Sequence, residues 1–311
     1  MTHVHGHSEF TDHHHKDDEE KKWLEIDRLY QNKSTEEKVV IEWFTQNVDK
    51  YLNSNVPHDT FSIVSFSCGD GRKDQMALRA IMPALKAKSK TVFYCGVDPD
   101  DTAIERFRKS VSECTDQNLR DVNFDLVVQT YESYVQGTAK LKDCACENKA
   151  NLILFVDSLC HLTLGPEEVL LHCYEHELSP QGVIVILLWN AEDFWFKIRE
   201  RLSDANVGAP TAHENNDYLT IQDVKKVVEK HNWRFNMYAP DYSLDVSECF
   251  KADSEEGKIM MECLACYSNS QASTTDDASR DKLLEFLRRE TVLNESSRVL
   301  KGNLGILVIY K

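Results

Sequence analysis

The chain has 311 residues, of which 41% are hydrophobic and 28% are charged, as in an ordinary globular protein with a sizeable core. Its formal net charge is -16 and no basic block stands out, which excludes nucleic acid and anionic membranes as main partners because both require clustered Lys and Arg. No stretch approaches the roughly 20 apolar residues of a membrane span, and we expect no signal peptide.

The ten cysteines are interpreted as free thiols. Cys68, Cys95 and Cys160 lie in or beside apolar runs, where a free Cys behaves as a small hydrophobe. No pair of cysteines has a second pair beside it at the spacing of a zinc site, so no metal is predicted. We therefore expect a reduced, cytoplasmic protein.

Residues 1–20 are predicted to be a disordered, His-rich and acidic tail. Six of the twelve histidines fall in the first fifteen residues, and an acidic run follows them. Spaced histidines can bind a transition metal, which is the alternative to a merely solvated tail. Beyond the tail, Trp23, Ile26 and Tyr30 stand three and four apart and share one helix face, so the first of two N-terminal helices within 21–55 is predicted here.

The stretch Ser34-Thr35-Glu36-Glu37 is predicted to open the second N-terminal helix, with Ser34 or Thr35 as its cap and an acidic first turn. Strands and helices then alternate, which predicts an α/β fold with a parallel sheet covered on both faces. The strands are predicted near 62–66, 92–98, 122–128, 151–156 and 183–189, and the helices near 72–88, 100–114, 166–177 and 192–203. The remainder is predicted as a helix near 220–231 capped by Thr220, a strand near 233–239, helices within 244–267 and 279–290, and a last strand over Leu304 to Tyr310.

The stretch "SIVSFSCGDGRKD" runs from the first strand into the first helix and is typical of a nucleotide-binding turn. Gly69 and Gly71 allow a ligand to approach the backbone. The turn lacks the Gly-Lys-Ser/Thr of a phosphate-binding loop, and Asp74 fills the third glycine position of a dinucleotide fingerprint. A pyrophosphate is also disfavoured by Asp70, so the dinucleotide interpretation weakens.

The second strand ends at Asp98 in "VFYCGVDPDD", where a carboxylate can accept hydrogen bonds from both hydroxyls of a ribose. The alternative is an ordinary exposed acid at a strand end. A Gly-poor first turn, Asp98 and a fourth strand ending in "LILFVDSL" together predict a class I methyltransferase fold with S-adenosyl-L-methionine as cofactor, since that cofactor has a ribose but no phosphate.

Four segments resemble the histamine N-methyltransferase family. They are "NKSTEEKVVIEWF", "IVSFSCGDGRKD", "VDPDDTAI" and the segment from Tyr218 to Phe250 that ends in Asp-x-Ser-x-Cys-Phe. The resemblance implies a Rossmann-like, seven-stranded sheet with an antiparallel last strand and a helical or mixed substrate lobe. The domain prediction is then the tail followed by one methyltransferase domain over 21–311, with N-terminal helices (21–55), a cofactor-binding core (60–205), and a substrate lobe with the last strands (206–311).

The resemblance places the family's substrate-gripping acid on Glu36. Ser67 replaces a Gly of the family pattern, Ala103 replaces a Gln, and Tyr131 replaces a Ser, so that a ring can stack on adenine or contact its edge. Asp157 stands where the family has a Gln facing the substrate. Cofactor contacts are predicted at Ser65, Ser67, Gly69, Gly71, Asp98, Ala103, Tyr131 and Val156, and substrate contacts at Glu36, Asp157, Trp23, Trp189 and Asn303.

Glu36 and Asp157 are the two predicted catalytic residues, because an acid near the acceptor stabilises the positive charge that develops on a methylated nitrogen. Each has an ordinary alternative: Glu36 as a first-turn helix acid and Asp157 as a helix cap. His161 is a candidate proton acceptor or a structural histidine. Four aromatic residues are either a cation-binding cage or core: Trp189, Phe194, Trp195 and Tyr242.

The leading hypothesis from the sequence is a monomeric methyltransferase that acts on nitrogen of a small cationic amine or imidazole compound. Two alternatives stay open. One is a methyltransferase with an oxygen, sulfur or peptide imidazole acceptor. The other is an inactive relative that binds the cofactor without turnover, and the departures at Ser67 and Ala103 keep it open.

Overall fold

The computed structural model describes residues 9–51, 59–136, 149–202, 219–268, 277–294 and 296–311. Their contacts divide into two compact units. The larger unit takes its residues from Glu36–Asp193, Val207–Asp241 and Asn303–Lys311, and the smaller unit from Met1–Thr35, Phe194–Asn206 and Tyr242–Gly302. The predicted division at residue 206 differs from this one, because the chain crosses between the units five times and no single boundary separates them.

The larger unit alternates strands and helices as the sequence predicts. Its strands are β1 (Thr60–Phe66), β2 (Thr91–Asp98), β3 (Val122–Val128), β4 (Ala150–Val156), β5 (Leu178–Trp189), β6 (Arg234–Tyr238) and the second half of β9 (Ser297–Tyr310). Its helices are α2 (Glu36–Tyr51), α3 (Arg72–Ala87), α4 (Asp101–Glu113), α5 (Gln117–Arg120), α6 (Tyr131–Gln136), α7 (Pro166–His172) and α9 (Ile221–Lys230).

Among the described residues, the sheet of this unit has the strand order β3-β2-β1-β4-β5-β9-β6. β1 pairs in parallel with β2 and β4, whereas β9 runs antiparallel to both β5 and β6. The chain therefore has the fold of class I methyltransferases, and the predicted seven-stranded sheet with an antiparallel last strand is confirmed. The inner strands are covered on both faces, so β1 and β4 are almost continuously buried.

Local sequence explains where α9 begins. Thr220 caps α9 in a capping box, in which its hydroxyl accepts from the Asp223 backbone and the Asp223 side chain accepts from the Thr220 backbone. Residues 166–177 form the predicted helix only as far as His172, and a single wider turn (Cys173–Glu177) follows.

The smaller unit contains α1 (Glu9–Lys33), α8 (Phe194–Leu202), α10 (Glu255–Ser268), α11 (Asp277–Glu290), β7 (Asp241–Asp245), β8 (Val292–Asn294) and the first half of β9. Phe194, Trp195 and Tyr242 are each 2% exposed and pack ring against ring, with Phe194 at 4.9 Å from Trp195 and 5.6 Å from Tyr242. These three aromatics belong to the core of this unit, which favours the core over the cation-binding cage as their role.

Part of the tail that the sequence predicts to be disordered is helical in the structure. Residues 1–8 of the expected tail lie outside the described residues, whereas residues 9–20 belong to α1. No helix over the described parts of the chain is long and apolar enough to cross a membrane.

Candidate functional site

The candidate site lies at the carboxyl edge of the sheet, where β1 and β4 are neighbours. β2 and β3 lie on the far side of β1, and β5 lies on the far side of β4, so the connections leave the sheet in opposite directions at this point. Open α/β sheets bind ligands in the crevice that such a reversal creates. The loops after β1, β2, β3 and β4 border this crevice.

The loop after β1 has a left-handed backbone at three positions. Ser67, Gly69 and Gly71 have φ of 52°, 56° and 69°. A Cβ on Gly71 would stand 2.1 Å from the Phe107 ring, so a side chain is excluded there by packing as well as by conformation. A Cβ on Gly69 would meet nothing within 4 Å, so the backbone at Gly69 faces open space that a ligand can approach.

Asp98 joins this loop to the loop after β2. Its Oδ2 accepts from the Gly69 N–H at 2.8 Å and its Oδ1 accepts from the Asp100 N–H at 2.9 Å. The residue is buried at 7% exposure. A carboxylate has about four acceptor sites, so lone pairs remain for the hydroxyls of a ligand.

The end of β3 adds two groups that the sequence analysis missed. Val128 is 38% exposed beside Asp98 in the β2–β3 register, and it offers an apolar wall. The side-chain oxygen Oε1 of Gln129 is buried and has no hydrogen-bond partner among the described residues. A buried unpartnered acceptor is costly, which marks a place for a donor from a ligand. No spacing in the sequence signals this residue.

The remaining predicted cofactor residues lie near the same edge of the sheet but differ in their burial and in their contacts. Ala103 is in the first turn of α4, and its N–H donates to Asp100 Oδ1. Val156 is half-buried at the end of β4, and Ser65 is buried within β1. The Tyr131 ring centroid lies 5.0 Å from that of Phe66 and the residue is 4% exposed, so its ring packs in the core, and its contact with adenine stays a prediction.

Glu36 and Asp157 converge on one side chain, the ammonium group of Lys73. Lys73 lies in the first turn of α3, forms an ion pair with Asp157, and has its Nζ 3.6 Å from Glu36 Oε1. The side chains of Glu36, Asp157 and Lys73 are 10%, 21% and 36% exposed. The structure thus brings the two predicted acids together, with a lysine between them that the sequence analysis did not consider.

Asp157 has a left-handed backbone, with φ of 51°, directly after β4. Its N–H donates to the Leu187 carbonyl oxygen at 3.0 Å, which continues the β4–β5 ladder. Ser67 and Asp157 therefore carry strained backbones at the ends of adjacent strands. Such strain in non-glycine residues is concentrated at functional sites.

Asn303, another predicted substrate residue, has protein partners for its side chain. Asn303 donates from its side chain to Ala239 O and Asp241 Oδ1 at 2.9 Å each, and accepts from Asn190 at 2.7 Å. Its polar atoms thus have protein partners, and its role in substrate binding stays a prediction. Trp189 is half-buried at the end of β5, His161 is exposed after β4, and Trp23 is 48% exposed on α1.

Asp74 is buried beneath the first loop, at 2% exposure, in the first turn of α3. Burial raises the pKa of its carboxyl to about 6, and the hydroxyl groups of Ser65 and Tyr94 oppose that shift. Burial likewise raises the pKa of the Cys68 thiol, so this cysteine is inert although it lies in the loop.

Curated proteins similar to this chain are methyltransferases, although no family model matches it. Histamine N-methyltransferase A of Xenopus laevis is 20% identical over 303 residues, covering 93% of this chain and 94% of that protein. Histamine N-methyltransferase of Bos taurus is 20% identical over 312 residues, covering 96% and 97%. The similarity thus extends over nearly the full length of both chains.

Solved structures with a similar fold are more distant. The plantazolicin methyltransferase BamL, in complex with a triazolic desmethylPZN analog and SAH, is 16% identical and covers 92% of this chain and 90% of its own, with a TM-score of 0.43. YcgJ of Bacillus subtilis is 13% identical and covers 86% and 98%, with a TM-score of 0.44. Likenesses of this size assign no function.

Proposed function

We propose that this protein, an S-adenosyl-L-methionine-dependent methyltransferase, transfers the methyl group to a nitrogen of a small cationic amine or imidazole compound. The observation that carries the proposal is the convergence of Glu36 and Asp157 at the sheet edge that Asp98 also borders. The full-length similarity to histamine N-methyltransferases supports the choice of acceptor.

The residues that border the crevice at the carboxyl edge of the sheet fit the cofactor. Asp98 retains acceptor sites for ribose hydroxyls, Gly69 leaves its backbone open to approach, and Gln129 Oε1 lacks a donor among the described residues. Val128 supplies an apolar wall of the kind that a purine ring requires. S-adenosyl-L-methionine, when bound, supplies a methyl carbon on a sulfonium that is already activated as an electrophile.

The protein's part in the reaction is to orient the acceptor and stabilise charge. Glu36 at the start of α2 and Asp157 after the end of β4 present carboxylate oxygens that can anchor a cationic substrate group. The same carboxylates stabilise the positive charge that grows on the attacking nitrogen. Positioning a lone pair against the methyl carbon accounts for the rest. The neutral nitrogen of an imidazole already has this lone pair, whereas a protonated amine must first lose its proton to water.

A transfer assay with labelled cofactor tests the proposal. The protein is incubated with a panel of amines, imidazoles, alcohols and thiols, and products are identified by mass spectrometry beside calorimetry with S-adenosyl-L-methionine. Methylation of amines or imidazoles alone supports the proposal. Transfer only to oxygen or sulfur acceptors contradicts the proposed acceptor, and tight cofactor binding without transfer to any acceptor identifies an inactive relative.

Asp98→Ala is expected to weaken S-adenosyl-L-methionine binding by about 10- to 150-fold, since a hydrogen bond to a charged group contributes about 1.5–3 kcal/mol. The loss includes the two backbone N–H bonds that hold the loops after β1 and β2. Isothermal calorimetry measures it. Asp101→Ala is the matched control, because it removes an exposed acid from the same loop region. Equal affinities of the two variants would show that Asp98 only ends a strand.

Ser67→Gly is expected to stabilise the protein by about 0.5–1 kcal/mol, because glycine adopts the left-handed backbone of Ser67 without strain. Urea unfolding measures the change. Ser89→Gly is the control, since Ser89 has φ of 54° just beyond α3. A loss of stability in Ser67→Gly beside a gain in Ser89→Gly would mean that the Ser67 hydroxyl has a structural role that outweighs its strain.

A further inference from the structure

The two acids of the proposed acceptor site already have a cation of the chain between them. Lys73 forms an ion pair with Asp157 and stands 3.6 Å from Glu36. Lys73 lies in the first turn of α3, which begins directly after Gly71 of the loop after β1. The lysine side chain is 36% exposed, and both acids are less exposed than the lysine.

The charge of this group follows from its three members. Two carboxylates and one ammonium give a formal charge of -2 + 1 = -1. The pair of acids alone would favour an acceptor with two positive groups. With Lys73 in place, the group has the charge of a single carboxylate, which suits an acceptor with one positive group.

We propose that Lys73 is a specificity-determining residue, which neutralises one carboxylate of the acceptor site and so limits the preference of the enzyme for cationic acceptors. This inference rests on the proposed function. Lys73 acts through Glu36 and Asp157: a positive acceptor group near the acids is repelled by the lysine or must displace it, whereas a neutral acceptor group is indifferent to its charge.

The experiment compares two imidazoles that differ in one group. Histamine carries an ammonium at pH 8, and histaminol carries a hydroxyl in the same place. The measured quantity is the ratio of kcat/KM for histamine to kcat/KM for histaminol. Lys73→Met is expected to raise this ratio by about tenfold, because it removes the positive charge that lies between the two carboxylates. Lys73→Gln serves as a second variant should Lys73→Met fold poorly.

Three further variants complete the test. Asp157→Asn in the native background is expected to lower the ratio, and the double variant Lys73→Met/Asp157→Asn is expected to return it to near the native value, because the formal charge is again -1. Lys86→Met removes a lysine from the same helix, one that pairs with Asp121 at 2.6 Å, and is expected to leave the ratio unchanged.

The possible results separate this inference from the proposed function. If the native protein methylates neither imidazole, the proposed function fails and the inference fails with it. If both imidazoles are methylated and Lys73→Met lowers both rates in parallel, the ratio stays constant, and Lys73 is a structural ion-pair partner only. A raised ratio that Asp157→Asn reverses supports the role of Lys73 in specificity.

Discussion

Replacing Glu36 with Gln is expected to lower kcat/KM for a cationic acceptor by roughly 30- to 1000-fold. Glu36 is 8% exposed at the start of α2, and a charged group removed from a buried hydrogen-bonded pair costs about 2–4 kcal/mol. The effect is expected mainly in the specificity constant, because an anchoring contact acts in the ground and transition states alike. Steady-state kinetics with histamine and histaminol measures it.

Glu37→Gln is the matched control for Glu36→Gln. Glu37 lies in the same helical turn and carries the same charge, so its replacement removes an equal interaction with the helix dipole. Its kcat/KM is expected to stay within about threefold of the native value. If both variants lose activity equally, the acids support the helix and Glu36 does not anchor the acceptor.

Asp74→Asn is expected to stabilise the protein at neutral pH and to have little effect in acid. The native pKa of about 6 is above the ordinary value of 3.8, so the folded state binds more protons than the unfolded state between these two values. The free energy of unfolding therefore falls as pH rises from about 3.8 to 6, by up to roughly 3 kcal/mol. Asparagine carries no charge at either pH, so the variant lacks this fall in the free energy of unfolding.

Urea unfolding measures the free energy of unfolding of Asp74→Asn and of the native protein at pH 4 and at pH 7.5. The stabilisation by the substitution is then compared between the two pH values. The stabilisation of Asp74→Asn relative to the native protein is expected to be larger at pH 7.5 by about 2–3 kcal/mol. Asp70→Asn, at an exposed acid of the same loop, is the control and is expected to show no such difference. An equal effect of Asp74→Asn at both pH values would rule out a buried charge at Asp74.

The strand–helix alternation predicted the fold because its signal is local. The predicted strand at 122–128 has the limits of β3, and the predicted helix at 72–88 ends one residue beyond α3. A buried strand is recognised from a short apolar run, and a helix from its cap and the periodicity of its apolar residues, so each signal lies within a few residues. The two-unit division could not be predicted, because it depends on contacts between segments far apart in the chain.

The candidate site was predicted only in part, for a similar reason. Asp98 and the glycines are recognisable because a strand end and a turn constrain the residue types that can stand there. Lys73 and Gln129 lie in a helix and a loop where lysine and glutamine are ordinary. Their importance follows from the carboxylates that surround Lys73 and from the unpartnered oxygen of Gln129, which only the folded structure reveals.

Asn303 ties together three places where the chain leaves or joins the larger unit. Its N–H donates to Asp193 Oδ2 at 2.7 Å, its side chain donates to Asp241 and accepts from Asn190, and the next residue, Leu304, donates to Pro240 O. These three places, where the chain crosses between the units, are therefore linked. The backbone at one of them cannot unfold locally without breaking hydrogen bonds that also hold the other two. In native-state hydrogen exchange, the amide hydrogens at these crossings are therefore expected to open as one cooperative unit and to exchange with a common free energy.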